Sequence, residues 1–224
     1  SRTQPFHLLL AAYKHIKPID EKEFNTILRD LVVVSFRYNT ISGFNPNTQE
    51  AEYNKAAIAV SAGRLKTARD VFNSYEKELY LADEIYTNNF AYKTINTTSY
   101  KTLAWYLLCK IERQLSGIPI EWNDRKVTIE HILPENPNSE WETWFDAAQQ
   151  EENIYRIGNL TLLETGKNKD CGNKLFDAKR DIYATSQYLL TKDNTSFYEW
   201  KPDTLLKRQQ AMGSLAKTVW KVQY

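Results

Sequence analysis

Helical periodicity runs through most of this 224-residue chain and is interrupted by one pair of short strand-like runs, and this pattern constrains the fold more than any other feature. The run TTSYKTLAWYLLCKIERQLSG carries apolar residues three and four positions apart, as one buried helix face requires. After Gly117-Ile118-Pro119 come RKVTIEHIL and RIGNLTLLE, which predict strands, and then NKLFDAKRDIYATSQYLL, which predicts a helix. We therefore expect a mainly α fold with an inserted ββα unit, in the α+β class. In the predicted long helix, TTSYKTLAWYLLCKIERQLSG, the apolar stripe consists of Ala104, Leu107, Leu108, Ile111 and Leu115.

The segments on either side are also predicted to be helical. The run Leu31–Phe36 is rich in β-branched residues, but it lies inside a longer helical period that begins with a capping Asp20 and ends at Gly43. Gly and Pro number only seven each, which favours long helices over a turn-rich fold. We expect a helical scaffold over residues 1–120, the ββα unit over residues 121–190, and a C-terminal helix over residues 191–224 that packs back on the scaffold.

Bulk composition excludes several classes of protein. The net charge is +1, so global charge does not indicate a nucleic-acid partner. Cys109 and Cys171 form no CxxC pair, which argues against a cysteine zinc site and fits a reduced, cytoplasmic protein. The run FHLLLAAY is too short to span a bilayer, so no membrane partner is expected. Because the chain opens with Ser1 rather than Met, we expect a fragment of a longer protein.

A histidine at the end of the first predicted strand is the strongest candidate for chemistry. His131 follows Glu130, Asn159 precedes the apolar part of the second strand, and Asn168 begins the following helix. A hairpin packed on a helix brings such positions together. A neutral imidazole accepts a proton from water, and amide and carboxylate oxygens suit Mg²⁺ or Mn²⁺ better than zinc. The layout suits phosphodiester hydrolysis; a structural histidine, a turn asparagine and a helix-capping asparagine are the alternatives at these three positions.

The same segments resemble a known nuclease family. The blocks EHILP, IGNLTLL and NKLFDAKRDIY resemble the HNH, or ββα-metal (His-Me finger), signature. They are more narrowly similar to the C-terminal domain of GmrSD-type restriction endonucleases. The upstream blocks QPFHLLLA, SFRYNTISGFNPN and YNKAAIA also resemble that family, so the resemblance covers most of the chain. It implies a prokaryotic DNA-targeting defence enzyme, whose usual N-terminal ParB-like, nucleotide-using domain is absent from this chain.

The resemblance also implies a role for five residues. His131 would be the general base, and Asn159 would brace the neighbouring loop and orient the imidazole. Asn168 would be a metal ligand and Glu130 a ligand-like residue beside the base. Asn173 is a further ligand candidate, although its spacing from Asn168 is one residue longer than usual. The cofactor would be a divalent metal, Mg²⁺ or Mn²⁺. The zinc-knuckle cysteines of many HNH enzymes are missing, and the final ligand is Asn rather than His.

The burial or the contacts of several other charged and aromatic residues can also be predicted. Arg37 lies within an apolar helix, so we expect a buried ion pair there. Tryptophans are more often core or interface residues than residues on which nucleic-acid bases stack. We expect this of Trp141, Trp144, Trp200 and Trp220. Basic residues near the ββα unit are candidates for contact with a phosphate backbone, with solvated charge as the alternative. These are Arg156, Lys167, Lys174, Lys179 and Arg180, and less specifically Lys207, Arg208, Lys217 and Lys221.

The function predicted from these observations is metal-dependent DNA endonuclease activity in a prokaryotic restriction or anti-phage defence protein. Nicking and double-strand cutting both remain open; the partner would be DNA, and modified phage DNA is one candidate substrate. One alternative is a non-catalytic DNA-sensing or docking module for the missing ParB-like domain. A second is an HNH protein that cuts RNA.

Overall fold

The computed structural model describes residues 4–121, 124 and 126–224. Over these residues the chain is mainly α with one small antiparallel β-sheet, as predicted. The predicted first strand begins at Arg125, which lies outside the described residues. The chain divides into two compact units: one comprises the residues up to Asn89 together with Trp220–Tyr224, and the other comprises Phe90–Val219. This division differs from the expected segments that end at residues 120 and 190, because the predicted long helix and most of the C-terminal helix belong to the unit that holds the hairpin.

The first unit is helical, and its core is built from helix faces. The run Leu31–Phe36 is helical as predicted: α2 ends at Ser35, and one π-helical segment, Phe36–Ile41, continues it. Asp20 caps α2 by accepting hydrogen bonds from the N–H groups of Lys22 and Glu23. The helices are α1 (Phe6–His15), α2 (Glu21–Ser35), α3 (Pro46–Ser61), α4 (Ala68–Asn73), α5 (Glu76–Leu79) and α6 (Asp83–Phe90).

Arg37 forms the expected ion pair, in which the guanidinium is buried while the Asp83 carboxylate is 46% exposed. Its fully buried guanidinium donates to Asp83 Oδ1 at 2.7 Å and to the carbonyl oxygens of Trp220 and Leu81 at 2.9 and 2.8 Å. A charge-assisted contact of this kind offsets the cost of taking the cation out of water. Within the first unit, Arg37 therefore links Trp220 to Leu81 and Asp83.

The second unit contains the hairpin and the helices around it. Strand β1 pairs with β2 in antiparallel register, so that Val127 lies opposite Glu164 and His131 opposite Leu160. Short 3₁₀ segments at Ser139–Thr143, Ile157–Asn159 and Asp193–Ser196 connect the elements. The elements are α7 (Thr97–Ser116), β1 (Val127–His131), α8 (Ala147–Asn153), β2 (Leu160–Glu164), α9 (Thr165–Cys171), α10 (Phe176–Ala184), α11 (Leu189–Lys192) and α12 (Pro202–Val219).

The helix predicted after the second strand is three helices in the structure. A short α9 begins directly after β2, at Thr165, and ends at Cys171; Gly172 follows, and its positive φ of 45° turns the chain. Helix α10 then runs from Phe176 to Ala184, and α11 follows. Periodicity gave no sign of α9 because the apolar residues of the predicted helix, Phe176, Ile182 and Tyr183, all lie in α10.

The core of the second unit surrounds the loop that follows β1. Trp141, Trp200 and Phe145 are buried there with Ile132 and Leu133. Trp141, Trp200 and Trp220 are buried as expected, whereas Trp144 is 37% exposed. Among the described residues, none of the helices combines the length and apolar character needed to cross a bilayer.

Candidate active site

An open cavity of about 520 Å³ lies in the second unit, where the end of β1 approaches α9 and the first turn of α7. His131 and Glu130 line it from β1, and Asn168 lines it from α9. Asn173 lines it from the turn after α9. Four of the five residues that the sequence singled out therefore share one cavity, and the fifth, Asn159, is buried beside it.

His131 reaches the cavity from the last position of β1, with its side chain 12% exposed. Its Nε2 lies 3.1 Å from Thr97 Oγ1 and 3.6 Å from Glu135 Oε1. The ring of Tyr155 packs edge-on against the imidazole, with ring centroids 6.0 Å apart. The ring is thus held on two sides.

Burial lowers the pKa of His131 from 6.5 to about 4, and the ammonium of Lys179 acts in the same direction while Glu135 opposes it. The imidazole is therefore neutral at pH 7 and has a free lone pair. A neutral imidazole is the protonation state that a general base needs.

Asn159 does not reach the cavity but holds the loop that leaves His131. Its Oδ1 accepts from the Leu133 N–H at 2.7 Å, and its Nδ2 donates to the Leu133 carbonyl at 2.8 Å and the Ile154 carbonyl at 3.0 Å. Trp200 Nε1 donates to the same Oδ1 at 3.2 Å. The fully buried carboxamide thus satisfies main-chain groups of a loop that has no strand partner.

Asn168 lies within α9, and it does not act as a helix cap. Its Nδ2 donates to Thr128 Oγ1 at 2.9 Å and to the Ile129 carbonyl at 3.0 Å, which ties α9 to β1. With the amide nitrogen used in this way, the oxygen is the atom available to a ligand.

Asn173 begins the run NKLFDAKRDIYATSQYLL, which was predicted to be helical, but the residue lies in the turn between α9 and α10. Its carbonyl oxygen accepts from Trp141 Nε1 at 3.3 Å, while its exposed side chain faces the cavity. The carboxamide is therefore free to move, unlike that of Asn168.

Glu130 is engaged by other side chains and is poorly suited to be a metal ligand. Its Oε1 accepts from Lys179 Nζ at 2.7 Å and from the Tyr183 hydroxyl at 2.9 Å. The same ammonium donates to the carbonyl oxygens of His131 and Ile132 at 2.8 and 3.1 Å. A cation bound at this carboxylate would face the Lys179 charge at short range. Burial raises the pKa of Glu130, and the ammonium and phenol partly offset this.

The expectation that Lys179 contacts DNA is wrong, because its side chain is fully buried in the contacts just described. Arg156 and Arg208 are also buried and are not available to DNA. Arg156 donates to Gln209 Oε1 at 3.0 Å and the Ala91 carbonyl at 2.6 Å, and Arg208 donates to the Gly158 and Leu160 carbonyls at 2.6 and 2.9 Å. Sequence alone gave no means of separating these three cations from exposed ones.

The other basic residues that were expected to contact DNA differ in their exposure and in whether their charge is already paired. Lys174 is exposed near the cavity. Lys167 is bound to Glu164 Oε1 at 2.8 Å and to the Thr185 carbonyl at 2.6 Å. Arg180 is partly exposed, lies 3.8 Å from Asp177 and stacks over Tyr198. Of the less specific candidates, Lys207 and Lys221 are exposed and Lys217 is half-buried.

Thr97, Lys101 and Glu135 are among the cavity residues that were not identified from the sequence. A carboxylate four positions after His131 was an available signal for Glu135. No local signal links Thr97 to His131, since 34 positions separate them. Lys101 is exposed and lies on α7, which the sequence analysis assigned to the scaffold.

The cavity contains oxygen atoms that could ligate a hard divalent cation, but it has no complete set of protein ligands around one point. Among the described residues, no group of three or more His, Cys, Asp and Glu side chains is placed to hold a metal ion. The amide oxygens of Asn168 and Asn173 are neutral. Mg²⁺ is commonly held by few protein ligands together with water and substrate phosphates. The residues present therefore fit a divalent ion that binds together with a phosphate.

Comparison with known protein families gives a match over residues 80–215, which is more than half of the chain. The matching family is described as GmrSD restriction endonucleases, C-terminal domain. The match includes the cavity and all five residues that the sequence analysis assigned to the site. A search of curated proteins found no match.

Proposed function

Since this chain belongs to the family of GmrSD restriction endonuclease C-terminal domains, we propose that its second unit is a metal-dependent DNA endonuclease of the HNH type, with His131 as the general base. The observation that carries the proposal is that a neutral, partly buried imidazole shares one open cavity with the amides of Asn168 and Asn173. A base and oxygen ligands beside an open cleft are what phosphodiester hydrolysis requires.

In the proposed reaction, His131 takes a proton from the attacking water. A phosphate diester in the cavity adds negative charge beside the ring, and this raises the pKa of His131 from its depressed value toward neutrality. The bound substrate thus makes the imidazole a stronger base at the moment it is needed. Asn159 keeps the loop after His131 in place, so the backbone beside the ring does not move during this step.

Asn168 and Asn173 would hold a divalent ion, Mg²⁺ or Mn²⁺, through their side-chain oxygens. When bound, the ion would polarise the phosphate and stabilise charge on the leaving oxygen. Lys101 at the cavity and the nearby Lys174 are exposed cations and are suited to hold neighbouring phosphates of the same strand.

A plasmid assay tests the proposal. Supercoiled DNA is incubated with the 224-residue chain and Mg²⁺ or Mn²⁺, with a chelator as the metal-free control. We expect His131→Ala to lower cleavage by about 10²- to 10⁴-fold, the range of general base catalysis. His7→Ala, which removes an exposed histidine of the first unit, should cut like the wild type. Full cleavage by His131→Ala would rule out the proposed base.

The same assay separates the other readings of the chain. A DNA-sensing or docking module would bind DNA without cutting it and without needing metal. An RNA-cutting enzyme would degrade single-stranded or duplex RNA in preference to the plasmid. Pairing with a ParB-like domain, recognition of modified phage DNA and a cytoplasmic location remain predictions.

A further inference from the structure

A buried threonine, Thr97, contacts both His131 and Glu135 at the inner wall of the cavity. Its Oγ1 lies 3.1 Å from His131 Nε2 and 3.0 Å from Glu135 Oε1. The two outer atoms, Nε2 and Oε1, are 3.6 Å apart. Thr97 is only 7% exposed, so water does not readily replace its hydroxyl in these contacts.

The position of the hydroxyl is set by the start of α7. Asn96 caps the helix by accepting from the N–H groups of Thr98 and Ser99 at 2.9 and 3.2 Å. Because Asn96 performs the capping, the Thr97 side chain is not needed for it and points to His131 and Glu135 instead. The backbone just before α7 is fixed as well, since the Ile95 N–H donates to the Tyr155 carbonyl at 2.8 Å.

We propose that Thr97 is a positioning residue that holds His131 in the tautomer with the proton on Nε2, so that Nδ1 is the basic atom. A hydroxyl has one proton to donate, whereas an ionised carboxylate only accepts. Thr97 therefore donates to Glu135, and its remaining lone pair faces Nε2. Nε2 must then carry a hydrogen to make a favourable contact at 3.1 Å.

The opposite tautomer places lone pairs against one another. If Thr97 donated to a bare Nε2, its own oxygen lone pair would face the Glu135 carboxylate at 3.0 Å. The Nε2 lone pair would face the same carboxylate at 3.6 Å. Both contacts are repulsive, and burial strengthens the repulsion because less water screens it. With Nε2 protonated, all three atoms make attractive contacts.

This inference rests on the proposed function for its catalytic meaning, but the tautomer is a property of the protein itself. It assigns the proton acceptor to Nδ1, for which the described residues provide no hydrogen-bond partner. It also gives Glu135 a role that its exposed position does not suggest, which is to fix the direction of the Thr97 hydroxyl.

The tautomer can be measured without any activity assay. Long-range proton–nitrogen correlation spectra of the ¹⁵N-histidine-labelled chain at pH 7 distinguish the protonated ring nitrogen, and His131→Gln identifies the His131 signals among the three histidines. We expect the wild type to carry its proton on Nε2. Thr97→Val should give a mixture of tautomers, and Thr97→Ser should restore the single form. Glu135→Gln, at an exposed site, should also give a mixture, since an amide can donate as well as accept.

The kinetic readout is a fall in kcat of about 10- to 100-fold for Thr97→Val, with KM for DNA unchanged and rescue by Thr97→Ser. Thr102→Val is the matched control, because Thr102 is exposed on α7 and lies outside the cavity lining. A wild-type ring protonated on Nδ1 would overturn the inference, and so would Thr97→Val with an unchanged tautomer. Absence of cleavage by a wild type with the expected tautomer would overturn the proposed function alone.

Discussion

The carboxamide of Asn159 bonds both main-chain polar groups of Leu133, accepting from its N–H at 2.7 Å and donating to its carbonyl at 2.8 Å. The side chain thereby substitutes for a strand neighbour just beyond the paired part of β1. The first residue of the clamped loop, Ile132, donates its N–H to the Asn159 carbonyl at 3.0 Å. Main chain and side chain of one residue thus fix the two positions that follow His131.

Asn159→Asp should destabilise the protein strongly. The carboxylate retains an acceptor for Leu133 but faces the carbonyl oxygens of Leu133 and Ile154, to which the amide had donated. Leaving these buried groups unpaired next to a charge costs about 2–4 kcal/mol. Urea unfolding measures the loss. Asn173→Asp, at an exposed turn, should change stability by about 0.5 kcal/mol or less. Equal effects of the two substitutions would contradict the clamp.

Lys179→Met should reduce stability rather than DNA affinity. The substitution leaves Glu130 buried without its cation and frees the carbonyls of His131 and Ile132. Removing one partner of a buried pair costs about 3–5 kcal/mol. Thermal or urea unfolding should show this, while Lys174→Met should leave stability unchanged and weaken DNA binding. A stable Lys179→Met protein with weak DNA binding would show that the lysine faces DNA after all.

Stability should depend on pH through His131. Its pKa is about 4 in the folded protein and about 6.5 in the unfolded chain, so the unfolded state binds the proton more tightly. The contribution of His131 to the free energy of unfolding is therefore fully present above about pH 6.5. As the pH falls toward 4, the free energy of unfolding decreases by about 2–3 kcal/mol. Comparing urea unfolding of wild type and His131→Gln at pH 4.5, 5.5 and 7 isolates this contribution from that of the carboxylates. Parallel pH profiles for the two proteins would argue against a depressed pKa.

Gly158→Ala should be destabilising because α12 packs directly against this position. A Cβ on Gly158 would lie 2.7 Å from both Gln209 Cβ and the Leu205 carbonyl oxygen. Relieving such a contact in a packed core costs about 1–3 kcal/mol. Gly166→Ala is the control, since it lies in α9 with open space around it and should be neutral or stabilising by up to about 1 kcal/mol. Calorimetric unfolding of both variants checks the prediction, which fails if Gly158→Ala unfolds at the wild-type temperature.

Asn173→Asp should lower the metal concentration needed for half-maximal cleavage. A carboxylate about 4 Å from a divalent ion gains about 2 kcal/mol over a neutral amide even in bulk water, which corresponds to a tenfold or greater change in affinity. Titration of Mg²⁺ and Mn²⁺ in the plasmid assay measures this. Asn47→Asp, in the first unit, is the control. An unchanged metal requirement would remove Asn173 from the proposed ligands.

The local elements were readable from the sequence, and so were four of the residues that line the cavity. β-branched alternation predicts β1 and β2, and the stripe of Ala104, Leu107 and Ile111 predicts α7, because periodicity is a local consequence of which face is buried. The position of His131 at a strand end follows from the same pattern. The GmrSD-type resemblance, carried by short blocks around the hairpin, agrees with the family match.

Only the tertiary structure decided which charged groups are buried and which side chains meet. Lys179, Arg156 and Arg208 look in the sequence like any surface cation, yet each is enclosed by carbonyl oxygens or by a carboxylate from elements distant in the chain. Thr97 reaches His131 for the same reason, since contacts across 34 positions arise from packing and leave no local pattern. Periodicity reports the burial of a face, whereas the partners of a polar atom depend on which distant element packs against it.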